Sequence, residues 1–168
     1  MGGSGARWRV WAARVAVVVA GGVVAVVLLQ LWSFAHVDNP AVIERSAIVR
    51  TATSHCAAMR DATAAAAVGT SASIQQRVGA INAQNDAVTE MVVALRSLGP
   101  SVLASDPPSS RWVEDWQRLV TARDDYARSL AAGHPRPMRL PTVEGTPLLD
   151  RLNDVGVSCR VPLALLAP

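Results

Sequence analysis

The sequence of 168 residues contains no lysine and few aromatic side chains: five Trp, one Tyr and one Phe. Without lysine it cannot carry the Ser-x-x-Lys hydrolase motif. Gly-x-Ser-x-Gly, His-Glu-x-x-His and Gly-rich phosphate-binding motifs are also absent from it. The sequence therefore predicts a protein that is not an enzyme, with no cofactor and no metal site.

The scarcity of aromatic residues also bears on the fold class. Beyond residue 35 the only aromatic rings outside histidine are Trp112, Trp116 and Tyr126. A core in this part of the chain has to be built mainly from Ala, Val, Leu and Ile. That composition suits closely packed helices better than a β-sandwich, so we expect an all-α domain with these three aromatic residues in its core.

Charge is distributed unevenly along the chain. Of its 16 basic residues, Arg7, Arg9 and Arg14 lie near the N-terminus, and the remaining 13 are balanced by 13 acidic residues, all after residue 36. The formal charge of +3 therefore belongs to the first 14 residues. A neutral main domain has no basic face for DNA or RNA, so no nucleic-acid partner is expected.

One long apolar segment stands out at residues 15–34. It carries no charged side chain, and only Gln30 is strongly polar. Trp11 and Trp32 bracket it at a separation of roughly 31 Å in a helix, which matches a hydrocarbon core of about 30 Å. The segment is predicted to be a transmembrane helix in contact with the lipid bilayer.

The arginines on one side of this segment set its orientation. Residues 36–39, on the other side, include no cation. The positive-inside rule thus predicts a cytoplasmic N-terminus at residues 1–14 and an extracytoplasmic domain at residues 36–168 of a single-pass cell-membrane protein. The predicted membrane-interface residues are Arg7, Arg9, Trp11, Arg14 and Trp32.

Two other interpretations of the apolar segment stay open. Ser33-Phe34-Ala35 has small residues where a signal peptidase cleaves, so removal of the segment after Ala35 is the alternative to anchoring. Small residues also recur four positions apart, a spacing that favours self-association of membrane helices. These residues are Ala12, Ala16 and Ala20, and Gly21 and Ala25.

The two cysteines, Cys56 and Cys159, are expected to form a disulfide in an oxidising extracytoplasmic compartment. The bond would tie the C-terminal tail to the first helix of the domain. A copper site that combines His55, Cys56 and Met59 with Met91 or Cys159 is the alternative, because sulfur and imidazole are soft ligands. A disulfide would exclude that site, because the cysteine sulfurs would no longer be free to bind copper.

Helix start and stop signals predict three long helices and one short helix, arranged as an antiparallel bundle. Asn39-Pro40 predicts the start of the first helix. A loop is expected at residues 101–109, and an extended connection is expected at residues 133–141. The apolar tail at residues 161–166 either packs on the bundle or docks elsewhere. The predicted helices cover about residues 40–68, 72–98, 111–131 and 147–155.

Polar residues interrupt two of the predicted apolar faces. Asn85 lies in the seam of the second helix, and Arg123 lies on the stripe of the third helix with Trp112 and Trp116. With His55 they form a predicted buried polar cluster, whose expected role is to set helix register. The alternative is a small polar pocket with Asp86 or Asp124 as counter-ion.

The C-terminal third carries the pattern Trp112-x3-Trp116, Arg123-x2-Tyr126-Ala127 and Asn153-x5-Cys159-x2-Pro162. This pattern resembles a group of uncharacterised actinobacterial single-pass membrane proteins with an exported helical domain. The resemblance implies the same architecture and a disulfide, but no activity. The chain departs from that group at residues 135–146, where the group is more strand-like.

These observations predict a non-enzymatic, membrane-anchored interaction protein of the cell envelope. Its expected partner is another envelope or membrane protein, and an accessory subunit of a larger membrane complex is one form this could take. The alternative is an exported module that senses a ligand, or binds a small molecule or metal, and signals through a partner. A cytoplasmic segment of about 14 residues leaves no room for an output domain of its own.

Overall fold

The computed structural model describes Trp11 and residues 18–28 and 42–166. Its contacts divide the chain into two units, Met1–Asn39 and Pro40–Pro168. In the first unit, residues 18–28 are helical and exposed, and Trp11 is exposed as well.

Within these described ranges, no helix is both long and apolar enough to cross a membrane. The prediction of a spanning helix at residues 15–34 falls partly outside the described residues. Four predicted interface residues and the cleavage site at Ala35 lie outside them altogether. These four are Arg7, Arg9, Arg14 and Trp32.

The second unit is mainly helical, as predicted, with three long helices among its described residues. The long helices are α1 (Ser46–Ala65), α2 (Ile74–Arg96) and α4 (Pro107–Ala131). The short elements are α3 (Pro100–Ala104), strands β1 (Thr142–Val143) and β2 (Thr146–Pro147), α5 (Leu148–Asn153) and a 3-10 helix (Leu163–Leu165).

Helix α2 packs against α1 and against α4. In both pairs, later residues of one helix contact earlier residues of the other, so neighbouring long helices are antiparallel. The contacts are Cys56 with Met91 and Thr63 with Gln84 between α1 and α2, and Arg77 with Tyr126 and Arg96 with Gln117 between α2 and α4.

Helix α1 begins later than predicted. Residues 42–45 are not helical, so the start expected from Asn39-Pro40, which lie outside the described residues, is wrong. The buried carboxylate of Asp106 accepts hydrogen bonds from the main-chain N–H groups of Glu44 (3.1 Å) and Arg45 (2.9 Å). A side chain 61 positions away thus holds the main chain that leads into α1, whose N-cap residue, Arg45, makes no side-chain cap of its own.

The loop predicted at residues 101–109 is also wrong. Helix α3 begins at Pro100, and α4 begins at Pro107 rather than near Arg111. Proline is tolerated in the first turn of a helix because the N–H group it lacks would have no intrahelical partner there. These prolines therefore start helices instead of separating them.

The extended connection continues to Pro141 and then forms a tight hairpin that was not predicted. Thr142 pairs with Pro147 and Val143 with Thr146 in an antiparallel ladder. The two turn residues, Glu144 and Gly145, both have positive φ angles, 52° and 82°. Two such residues are typical of the tight turn whose twist matches that of the flanking strands.

The core contains Trp112 and Trp116, which are 1% and 0% exposed and pack edge to face with ring centroids 6.2 Å apart. Trp112 Nε1 donates to the carbonyl oxygen of Leu152 (3.1 Å), which attaches α5 to α4. Tyr126 is only partly buried, in a smaller cluster with Ile81. Its hydroxyl accepts a hydrogen bond from Arg77 (3.0 Å), consistent with a ring that keeps its polar end at the rim.

The predicted disulfide between Cys56 and Cys159 is confirmed. Both residues are buried, and the thioether sulfur of Met91 lies 3.3 Å from Cys56 Sγ and 3.7 Å from Cys159 Sγ. The tail that follows packs on the domain, since Val161 and Leu165 are buried.

Candidate functional site

Arg123 is completely buried in α4 and is the centre of a hydrogen-bond network. Its Nε donates to Asn85 Oδ1 (2.7 Å) and its Nη2 to Gln84 Oε1 (2.5 Å), both on α2. Its Nη1 donates to the carbonyl oxygen of Leu165 in the tail. One guanidinium group thus connects α4 to α2 and to the C-terminal segment.

The acceptors of Arg123 are held in place by further hydrogen bonds. Asn85 Nδ2 donates to Asp124 Oδ1 (2.6 Å), and Gln84 Nε2 donates to the carbonyl oxygen of Thr63 on α1 (3.2 Å). Burial lowers the pKa of Arg123 to about 10, although Asp124 acts in the opposite direction. Arg123 therefore keeps its charge at neutral pH, and this network joins all three long helices.

The structure brings together only part of the predicted polar cluster. Asn85 and Arg123 are hydrogen-bonded, and Asp124 rather than Asp86 is the carboxylate beside them. The inclusion of His55 is wrong, because its side chain is exposed. It directly precedes the buried Cys56, and consecutive residues on a helix point in different directions.

The alternative copper site finds no support in this arrangement. Cys56 and Cys159 are bonded to each other, and Met59 is buried in the core while His55 faces solvent. Within the part of the chain that the structure describes, no group of three His, Cys, Asp or Glu side chains is placed to hold a metal ion.

Another buried charge, Asp115, was not predicted from the sequence. Its carboxylate is 2% exposed and pairs with Arg118 (2.5 Å) and with Arg151 of α5 (2.8 Å). Arg151 also binds Glu144 at the hairpin turn (3.0 Å), and the hydrogen bond to Asp115 raises the pKa of Arg151. The signal was available: Asp115 is three residues after Trp112 on the apolar side of the helix.

An open groove of about 1180 Å³ lies between α4 and the chain from Arg136 to Glu144. Most of its lining side chains are exposed, so it is a channel on the surface rather than an enclosed pocket. The α4 wall consists of Arg118, Thr121, Ala122, Asp125 and Tyr126. The opposite wall consists of Arg136, Pro137, Met138, Arg139, Pro141, Thr142, Val143 and Glu144.

The second wall is fixed at both ends. At its start, the main-chain N–H of His134 donates to the carbonyl oxygen of Ser129 (3.1 Å), and that of Arg136 donates to Ser129 Oγ (3.1 Å). At its end, Leu148 N–H donates to the carbonyl oxygen of Pro141 (3.1 Å). These hydrogen bonds hold both ends of the wall in place.

A smaller cleft of about 390 Å³ lies between the start of α4 and α5. It borders Asp115 and Arg151, whose side chains are engaged with each other. The open groove is accordingly the better candidate for a functional site. The groove was not predicted from the sequence, which indicated only the extended connection at residues 133–141 that forms part of one wall.

Comparison with known proteins adds no relationship to this geometry. No protein-family model, curated protein or solved structure matches the chain. The resemblance of the C-terminal third to actinobacterial single-pass membrane proteins stays a prediction.

Proposed function

We propose that this chain is a non-enzymatic, membrane-anchored interaction protein whose extracytoplasmic helical domain binds another protein of the cell envelope. The observation that supports this proposal is the open groove along α4. Small-molecule sites usually enclose most of their ligand in a volume of about 300 to 1,000 Å³. A larger channel with exposed walls is better suited to a segment of a protein.

The internal polar groups favour binding over chemistry. Arg123 and Asp115 are the most deeply buried charged side chains among the described residues, and both are engaged by several partners within the domain. Neither lines the groove. Arg123 borders neither the groove nor the smaller cleft, and Asp115, which borders the cleft, is paired with Arg118 and Arg151, so we assign structural roles to both residues.

Membrane anchoring rests on the composition of residues 15–34 and on the arginines before them. The test is a C-terminal reporter expressed with the full chain. We expect the reporter to be exported and to stay with the membrane after alkaline washing. Release into the soluble fraction at a mass that lacks the first 35 residues would show that the segment is a cleaved signal.

Partner binding is tested by photo-cross-linking in intact cells. A photoreactive amino acid replaces Thr121, an exposed residue of the groove, and a matched control places it at Glu90, an exposed residue of α2 outside the groove. We expect a specific envelope protein to be cross-linked from position 121 and not from position 90. The proposal fails if position 121 gives no protein adduct, or if the purified chain retains a small molecule in native mass spectrometry.

A further inference from the structure

The charged side chains of the groove are not equally engaged. Arg118 pairs with Asp115, while the two carboxylates of the groove, Asp125 and Glu144, pair with Arg128 and Arg151. By contrast, two groove arginines have no ion pair or side-chain hydrogen bond to any described residue. These are Arg136 and Arg139.

The spacing of these two arginines fits an extended ligand. Prolines at positions 135, 137 and 141 favour a polyproline II conformation, in which residues three apart share one side and lie about 9 Å apart along the axis. Arg136 and Arg139 both line the groove, as do Pro137 and Met138 between them. An extended peptide with acidic side chains three residues apart has the same repeat.

The main chain of the same wall also has free hydrogen-bonding groups. The N–H groups of Met138, Arg139 and Leu140 have no partner among the described residues. The main-chain carbonyl groups of a partner segment lying alongside could accept hydrogen bonds from them. Partly buried apolar contacts complete the surface, on Met138, Val143 and the ring of Tyr126.

We infer that the groove binds an extended acidic segment of the partner protein, with carboxylates of that segment on Arg136 and Arg139. This inference rests on the proposed function and specifies the chemistry of the partner. An anionic membrane surface fits less well. Basic and acidic residues after position 36 are equal in number, so the domain has no net charge to draw it to such a surface.

The direct test measures binding of a labelled peptide of repeated Glu-Pro-Ala units to the purified full-length protein in nonionic detergent. The Gln-Pro-Ala peptide and a short-chain phosphatidylglycerol serve as comparison ligands. We expect the Glu peptide to bind, with affinity that falls as salt is added, and to weaken about tenfold in the double variant Arg136→Glu/Arg139→Glu. The same charge change at Arg50 and Arg160, exposed residues outside the groove, should leave the affinity unchanged.

Three results would overturn the inference: equal binding of the Glu and Gln peptides, unchanged affinity in the double variant, or binding of the lipid alone. Arg136→Gln/Arg139→Gln removes the charges without adding repulsion and repeats the test if the Glu variant does not fold. Cross-linking from position 121 separates the two proposals. An adduct that persists in the double variant contradicts only the inference that the partner segment is acidic. Absence of any adduct in the parent protein contradicts the proposed function.

Discussion

Arg123 donates a hydrogen bond from its buried guanidinium group to the main-chain carbonyl oxygen of Leu165. The C-terminal tail is thus held by this hydrogen bond and, a few residues earlier, by the disulfide of Cys159 to Cys56. The tail in turn supplies an acceptor that a buried positive charge needs, because a charge without partners is costly to bury.

Replacement of Arg123 by Met should lower the free energy of unfolding by about 3 to 5 kcal/mol, because each buried acceptor left without a donor costs about 1 to 3 kcal/mol. The substitution leaves the side-chain oxygens of Gln84 and Asn85 without their donor, in addition to the carbonyl oxygen of Leu165. Chemical denaturation followed by circular dichroism measures the loss. Arg128→Met is the control, an exposed change on the same helix, and its free energy of unfolding should stay within about 0.5 kcal/mol of that of the parent protein. Equal stabilities of the two variants would contradict the role of the network.

Removal of the disulfide in a Cys56→Ala/Cys159→Ala variant should cost up to about 4 to 5 kcal/mol in the chain-entropy model, since the bond joins residues 103 positions apart. The same denaturation experiment measures this cost.

Digestion without reductant should yield one linked peptide pair from protein isolated from the envelope. Recovery of two free thiols would contradict the prediction.

The two core tryptophans should respond differently to replacement by Phe. Trp112 Nε1 donates to the carbonyl oxygen of Leu152, whereas Trp116 Nε1 is buried without a partner among the described residues. Both changes remove similar volume, so Trp112→Phe should be more destabilising than Trp116→Phe by about 1 to 2 kcal/mol. Thermal unfolding compares the two variants, and equal losses would show that the hydrogen bond adds no stability.

Two glycines test the backbone conformation, one at the hairpin turn and one within α2. Gly145 has a φ of 82° and open space around its α-carbon, so Gly145→Ala should be destabilising by about 1 kcal/mol or more through backbone strain alone. Gly79 lies within α2, also with open space, and Gly79→Ala should be stabilising by up to about 1 kcal/mol. Denaturation curves measure whether each variant is more or less stable than the parent protein. A Gly145→Ala variant as stable as the parent would contradict the described turn.

Elements governed by neighbouring residues could be predicted. Ser73 caps α2 in a reciprocal capping box with Gln76, and Gly133 follows the end of α4 with a φ of 72°. The apolar spacing around Trp112 and Trp116 indicates which side of α4 is buried, because helix geometry alone brings such residues onto one face. The loop predicted between α2 and α4 was wrong because of its prolines. A proline that ends one helix and a proline that begins another look alike in sequence.

The sequence by itself thus determined the helical class, the approximate positions of the three long helices and the pairing of its only two cysteines. Tertiary structure alone decided which polar groups meet. Asp106 binds the start of α1 from 61 positions away, and Asp115 joins Arg151 across 36 positions. The groove depends on the same kind of contact, because its walls come from α4 and from a segment positioned by Ser129, Leu148 and Arg151. Local spacing encodes the geometry of one helix, whereas these contacts exist only once separate elements have packed.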